Sequence, residues 1–264
     1  MAKAKKSKTK KTGIVRKTKK AALVLKTRVA FILDRSGSMG PIRAEALDMF
    51  NQQVKALKET TTKGMDTKVT FVTFSTIADA PVIFNEEIGK LHPLTLEQYN
   101  CDGWTAMYDA VGRTVDQLSS LEEAKDPNTS FLVVIVSDGA ENYSREYNAA
   151  AIAARVKGLQ DTKRWTFTYL GANQDLSVIS QTLNIPLGNT MSFTASSAGT
   201  FSAGVTNTAS TRSYMGSRAG GQSASVNFYS PPTTPIDAGE KTVSTATIVS
   251  GGTTATISSI KGVK

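Results

Sequence analysis

The chain has 264 residues, 40% of them hydrophobic, and a formal net charge of +9 at pH 7; that is enough apolar sequence for a substantial core. The charge is not evenly spread. Residues 1–20 hold nine lysines, one arginine and no acid, whereas the rest of the chain carries 21 basic against 22 acidic side chains, so the body is near neutral and its net charge is no nucleic-acid signature.

In the N-terminal segment, residues 1–26, Lys5, Lys6, Lys8, Lys10, Lys11, Arg16, Lys17, Lys19 and Lys20 leave little to bury, which predicts disorder. Such a tail suits either sequence-independent, salt-dependent binding to nucleic acid or a solubilising arm. The apolar stretch behind it, "AALVL", is five residues long. That is shorter than the roughly 7–15 residues of a secretory signal core, and no run approaches the roughly 18 apolar residues of a membrane span. A single cysteine, Cys101, excludes an internal disulfide and fits a reducing, cytoplasmic compartment.

From residue 27 short β-branched runs alternate with helical segments, the pattern of a parallel sheet with crossover helices. "TRVAFIL" (27–33) reads as a strand, and a helix follows Pro41, with Ile42, Ala46, Met49, Phe50, Val54 and Leu57 at helical spacing. "KVTFVTF" (68–74) and "APVIFNEEI" (80–88) read as paired strands. A helix is predicted over 105–121. "FLVVIV" (131–136) is uninterrupted apolar sequence, as a central strand covered on both faces requires. A helix over 144–160, a strand over 164–172, a short helix over 175–184 and an edge strand over 190–194 complete the series. Residues 197–218 are rich in Ser, Thr, Ala and Gly; a stripe of Phe201, Val205, Ala209 and Tyr214 predicts a final helix. Residues 218–241 are linker-like in Gly, Ser and Pro. Residues 242–264 close the chain with two Thr/Val/Ile-rich runs around Gly251-Gly252, a β-hairpin signal. An isolated hairpin is marginal in water, so pairing with the body, a second copy or a partner is expected.

In an open α/β sheet ligands bind at the carboxyl ends of the strands, and the segments there are "DRSGS", "DGWT", "SDGAEN" and "GANQD". Asp34, Ser36 and Ser38 in one tight loop can converge three oxygens; Thr105 and Asp138 add a hydroxyl and a carboxylate from two others. Hard oxygen donors without His or Cys suit Mg²⁺, with Mn²⁺ or Ca²⁺ as alternatives. Each residue also has a plainer reading, since Ser and Asp after strands form turns and helix caps. Asp102 and Gly103 are read as shaping their loop, Asp109 as serving the helix dipole or bracing a ligand, and Glu141 and Asn142 as bracing theirs. Asn173 and Asp175 read as caps of the next helix, with Asn173 also a candidate for a partner-facing rim. His92 reads as a loop residue and Cys101 as a small buried side chain.

"DRSGSM" matches the D-x-S-x-S motif of von Willebrand factor type A domains, and Thr105 in "GWTAMYDA" and Asp138 in "VIVSDG" follow in the expected order. Over residues 27–217 the chain resembles that family, and "SDGAENYSREY" with "WTFTYLGANQD" is similar to its stand-alone members in bacteria and their phages. The resemblance implies a doubly wound, Rossmann-like α/β fold with a metal-ion-dependent adhesion site. In that site the serines and threonine bind the metal directly, the aspartates act largely through water, and an Asp or Glu carboxylate of a protein partner completes the shell. It also admits a component of a phage particle as the setting. Trp104 stands where many members have glycine, which changes the rim and makes it a candidate partner anchor.

Catalytic readings find little support. A phosphatase of the haloacid dehalogenase type needs a second aspartate where Ser36 stands. "GSMG" falls short of G-x-S-x-G, the sole histidine lies in an unrelated loop, and no phosphate-binding G-x-x-x-x-G-K-[ST] occurs. The sequence therefore predicts a non-enzymatic, metal-dependent binding module, with a nucleic-acid- or particle-associated structural protein as the alternative.

Overall fold

A computed structural model describes residues 24–229, 243–250 and 253–260. The Lys-rich residues of the tail, the second half of the Gly/Ser/Pro stretch and the hairpin's Gly-Gly turn lie outside the described residues.

Uninterrupted apolar runs become central strands. β1 (Leu25–Asp34) is buried from Thr27 to its last residue, and β4 (Thr129–Ser137) is buried throughout. β1 pairs in parallel with β2 (Met65–Phe74) on one side and with β4 on the other. β2 carries an antiparallel edge strand, β3 (Ile83–Glu87); β4 continues in parallel to β5 (Trp165–Ala172) and then to β6 (Thr190–Phe193). The order is β3-β2-β1-β4-β5-β6. The chain thus winds outward from β1 in one direction, returns to the middle, and winds outward in the other. This doubly wound, Rossmann-like sheet is the architecture implied by the sequence resemblance. Its switch point, where ligand crevices form in such sheets, lies between the carboxyl ends of β1 and β4.

Alternation along the strands divides the core. Val29, Phe31 and Leu33 of β1 join Leu132, Val134 and Val136 of β4 under α1 (Arg43–Thr60) and α5 (Ser197–Ala219). Ala30, Ile32, Phe131, Val133 and Ile135 face α2 (Met107–Ser120), α3 (Ala149–Asp161) and α4 (Leu176–Leu183). Phe31, Phe50 and Phe71 cluster on the first face with centroids 4.3–6.3 Å apart; Phe131, Trp165 and Phe167 stack on the second.

Two helices differ from the sequence expectation. α5 forms, but Phe201 and Val205 are 56% and 50% exposed, and Ala209 is exposed as well. The buried face is Thr200, Ala203, Gly204, Asn207, Thr208, Thr211, Tyr214, Met215 and Arg218. Small and hydroxyl side chains win that face because α5 lies close on α1: a Cβ at Gly204 would sit 3.6 Å from Met49. α3 begins at Ala149, capped by Asn148, whose Oδ1 accepts the Ala151 N–H at 2.9 Å. Residues 144–147 are not helical because carboxylates capture their amides. Glu141 accepts from Ser144, and Asp109 from Arg145, Glu146 and Tyr147.

The first compact unit runs on to Tyr229, and Asn189 is one of the side chains that tie residues 222–229 to it. Asn189 Nδ2 donates to the carbonyls of Phe167 (3.0 Å) and Ser225 (2.9 Å), and its Oδ1 accepts the Phe228 N–H at 2.8 Å. Asn189→Ala removes the partner of all three groups, and a loss of about 2–3 kcal/mol in a urea melt is expected; an unchanged midpoint would show that these hydrogen bonds contribute nothing to the fold. In the second unit β7 (Val243–Ser250) and β8 (Thr253–Ile260) form the expected antiparallel pair, from Val243↔Ile260 to Ser250↔Thr253.

Candidate functional site

The end of β1 sets the site. Asp34 is fully buried and its Oδ1 accepts the Ser36 N–H at 2.7 Å, an Asx turn that bends the chain sharply. The turn brings the Ser36 and Ser38 hydroxyls to 3.1 Å from each other. Ser38 Oγ donates to Asp138 Oδ1 at 2.7 Å, and Ser137 Oγ donates to Asp34 Oδ2 at 2.6 Å. The ends of β1 and β4 are therefore joined twice across the switch point.

Thr105 arrives from a third loop and is nearly buried. Its N–H donates to Asn142 Oδ1 at 2.9 Å, and its carbonyl accepts from the amides of Asn142 and Tyr143. This main-chain clamp leaves the hydroxyl free to point inward. A Cβ at Gly139 would stand 3.0 Å from Thr105 Oγ1 and 3.9 Å from Asp34 Oδ2, so the missing side chain leaves open space that both oxygens border. All five sequence-selected donors, Asp34, Ser36, Ser38, Thr105 and Asp138, thus meet in one region. Trp104 lies on its rim, 61% exposed. Asn173 is exposed too, but its N–H donates to Phe193 O and its Oδ1 accepts from Ala195 N. It joins the loops after β5 and β6, and Asp175 alone caps α4.

Several supporting residues carry no sequence signal of their own. Ser137 is the last residue of β4. Tyr99, fully buried, donates from its hydroxyl to the Asp34 carbonyl. Gln174 reaches from the loop after β5, its Nε2 donating to Gly139 O at 2.8 Å and its Oε1 accepting from the Tyr169 hydroxyl. Arg35 inside the motif forks onto Asp79 at 2.7 and 3.1 Å and onto Asp102 at 2.5 Å, holding the loops beside the site together. Asp102 shapes its loop as the sequence predicts, and Glu141 accepts the Tyr108 N–H at the start of α2. The Cys101 thiol is half-buried, and burial pushes its ionisation up.

The electrostatics are one-sided. Burial pushes the Asp34 carboxyl up to about 6, against the lowering effect of its hydrogen bonds from Ser137 and Ser36. Burial raises Asp138 as well. Arg35, the nearest basic residue in sequence, is committed to Asp79 and Asp102, and no ion pair among the described residues reaches Asp34 or Asp138. A buried and a partly buried carboxylate joined through hydroxyls, with no counter-ion among the described residues, favour a cation. Among the described residues no cluster of three or more His, Cys, Asp or Glu occurs; the converging donors are two carboxylates and three hydroxyls, the hard-oxygen chemistry that fits Mg²⁺. No helix of the described residues is long and apolar enough to cross a membrane.

No protein-family model matches the chain, and no curated protein matches it in sequence. Solved structures do resemble it. Proximal thread matrix protein 1 from the mussel byssus is 15% identical with a TM-score of 0.48, over 72% of this chain and 46% of that one. A von Willebrand factor type A protein from Catenulispora acidiphila is 13% identical with a TM-score of 0.46, over 71% and 43%. The PilB minor pilin from Streptococcus sanguinis is 13% identical with a TM-score of 0.46, over 73% and 62%. The match spans less than two thirds of each of these chains.

Proposed function

We propose that Asp34, Ser36, Ser38, Thr105 and Asp138 form a divalent-cation centre, for Mg²⁺ first and for Mn²⁺ or Ca²⁺ as substitutes, and that the protein is a binding module rather than an enzyme. The observation that carries this reading is the pair of carboxylates at the sheet's switch point, Asp34 buried and Asp138 partly so, in no ion pair among the described residues and interleaved with hydroxyls. Ser36, Ser38 and Thr105 would hold the ion through neutral oxygens, while Asp34 and Asp138 balance its charge. A bound Mg²⁺ would supply a Lewis-acidic position for the Asp or Glu carboxylate of a protein partner. Neutral donors suit that role, because each added direct carboxylate weakens the attraction for an incoming anion.

Calorimetric titration with MgCl₂ tests the centre. Wild-type protein is expected to give a saturable heat, and Ser36→Ala, which removes one donor and leaves the Asx turn's main chain intact, is expected to bind at least tenfold more weakly. Equal isotherms from the two proteins would overturn the assignment.

A further inference from the structure

Beside the cation centre the surface carries two large apolar side chains that the fold holds in the open. Trp104 is 61% exposed and Ile77 63% exposed. Neither sits on a loose loop. The Thr76 hydroxyl accepts the Trp104 N–H at 3.1 Å, and Ser75 receives the Ala106 N–H on its carbonyl at 2.8 Å. Ser75 in turn donates its N–H to Ile77 O at 3.0 Å. Gly103, at φ +72°, lets the two loops close on each other, since a Cβ there would lie 2.2 Å from Thr76 Oγ1. The same glycine's carbonyl accepts the Gly37 N–H of the serine loop at 3.2 Å. One hydrogen-bonded frame thus joins the apolar pair to the loop of Ser36 and Ser38, and Trp104 directly precedes Thr105.

We infer that Trp104 and Ile77 form an apolar subsite of the cation centre, and that the partner segment presents an Asp or Glu side chain directly next to a large aliphatic or aromatic one. This rests on the cation-centre reading above. Two features select such an occupant. A lone carboxylate contact is shared by every acidic surface and discriminates little, whereas two exposed apolar side chains on a main chain already fixed by hydrogen bonds add affinity without the cost of ordering a loop. Continuity with the carboxylate position also dictates that the apolar group be a near neighbour of the acid in the same segment.

Capped tripeptides, in which the aspartate is the sole carboxylate, are the probe: acetyl-Gly-Asp-Gly-amide against acetyl-Leu-Asp-Gly-amide and acetyl-Gly-Asp-Leu-amide. Amide chemical shifts of the full chain are followed in saturating Mg²⁺ and in EDTA. At least one leucine peptide is expected to bind about tenfold more tightly than the glycine peptide in Mg²⁺, equivalent to ~1.4 kcal/mol. Trp104→Ser and Ile77→Ser, both at exposed positions, are expected to bring that ratio close to one. Mg²⁺-dependent binding of all three peptides with equal affinity overturns the apolar subsite and leaves the cation centre standing. No Mg²⁺-dependent binding of any peptide overturns both the subsite and the capture of a partner carboxylate, while the cation centre itself stands or falls with the MgCl₂ titration above. A preference that survives both substitutions also overturns the subsite.

Discussion

Metal-free Asp34→Asn protein is expected to melt roughly 6–12 °C above the wild type at pH 7.5, with the gap closing towards pH 4. The native Asp34 carboxyl titrates at about 6, from a reference value of 3.8, because burial disfavours its charged form. Between those two pH values the native state binds more protons than the unfolded state, so wild-type stability falls as pH rises through this window. Above it the cost is constant, about 3 kcal/mol for a shift of about two units in a fully buried group. Asparagine is neutral at every pH and fits the same bonds. Its Oδ1 can accept the Ser36 N–H, and its amide can donate to Ser137 Oγ, whose hydroxyl has a second acceptor in Gly139 O at 3.1 Å. Adding Mg²⁺ at 100 times its dissociation constant is expected to return about 2.7 kcal/mol to the wild type and nothing to the variant. Melts in EDTA and in Mg²⁺ at pH 4.5 and 7.5 check all of this. A variant less stable than wild type in EDTA at pH 7.5 would contradict an uncompensated carboxylate at this position.

Asp109→Ala is expected to cost about 3–5 kcal/mol. Its nearly buried carboxylate accepts the amides of Arg145, Glu146 and Tyr147, each at 2.9 Å. Alanine leaves all three donors unpaired and frees the segment that leads from the Asp138 loop into α3. The distinguishing readout is amide hydrogen exchange. Residues 145–147 are expected to lose protection by orders of magnitude while Val29–Leu33 in β1 keep theirs up to the lowered global stability. Undiminished protection at 145–147 would show that the carboxylate does not hold this loop.

Much of the fold was legible in the order of the residues, for a physical reason. A strand covered on both faces must be apolar at every position, so "FLVVIV" and "VAFIL" announced central strands without any knowledge of their neighbours. The donor set was legible for the same reason. A buried strand must end somewhere, and Asp34 and Asp138 stand at or just beyond two such ends, with glycine and hydroxyl residues following. Helix extent was harder to read. The helix predicted from residue 144 starts later because Asp109, over thirty residues earlier, takes the amides of Arg145, Glu146 and Tyr147, and no local pattern records that competition. The stripe of Phe201 and Val205 misled because apolar periodicity marks the buried face only where burial is driven by large side chains; α5 instead buries Thr, Ala, Gly and Asn in a close approach to α1.

What the sequence by itself determined is therefore the set of strands, the five oxygen-bearing residues that meet at the switch point and the concentration of charge in the first twenty residues. These depend on composition within short windows. Only the tertiary structure decided that the winding of the sheet reverses at β1 and β4, so that hydroxyls join the Asp34 and Asp138 loops, and that Arg35 is spent on Asp79 and Asp102 instead of neutralising them. It alone bonds the main chain of Trp104 to Thr76, and ties Ser225 and Phe228 to the body through Asn189. Each of these is a pairing between residues tens of positions apart, settled by which buried groups must find a partner once the sheet has closed over them.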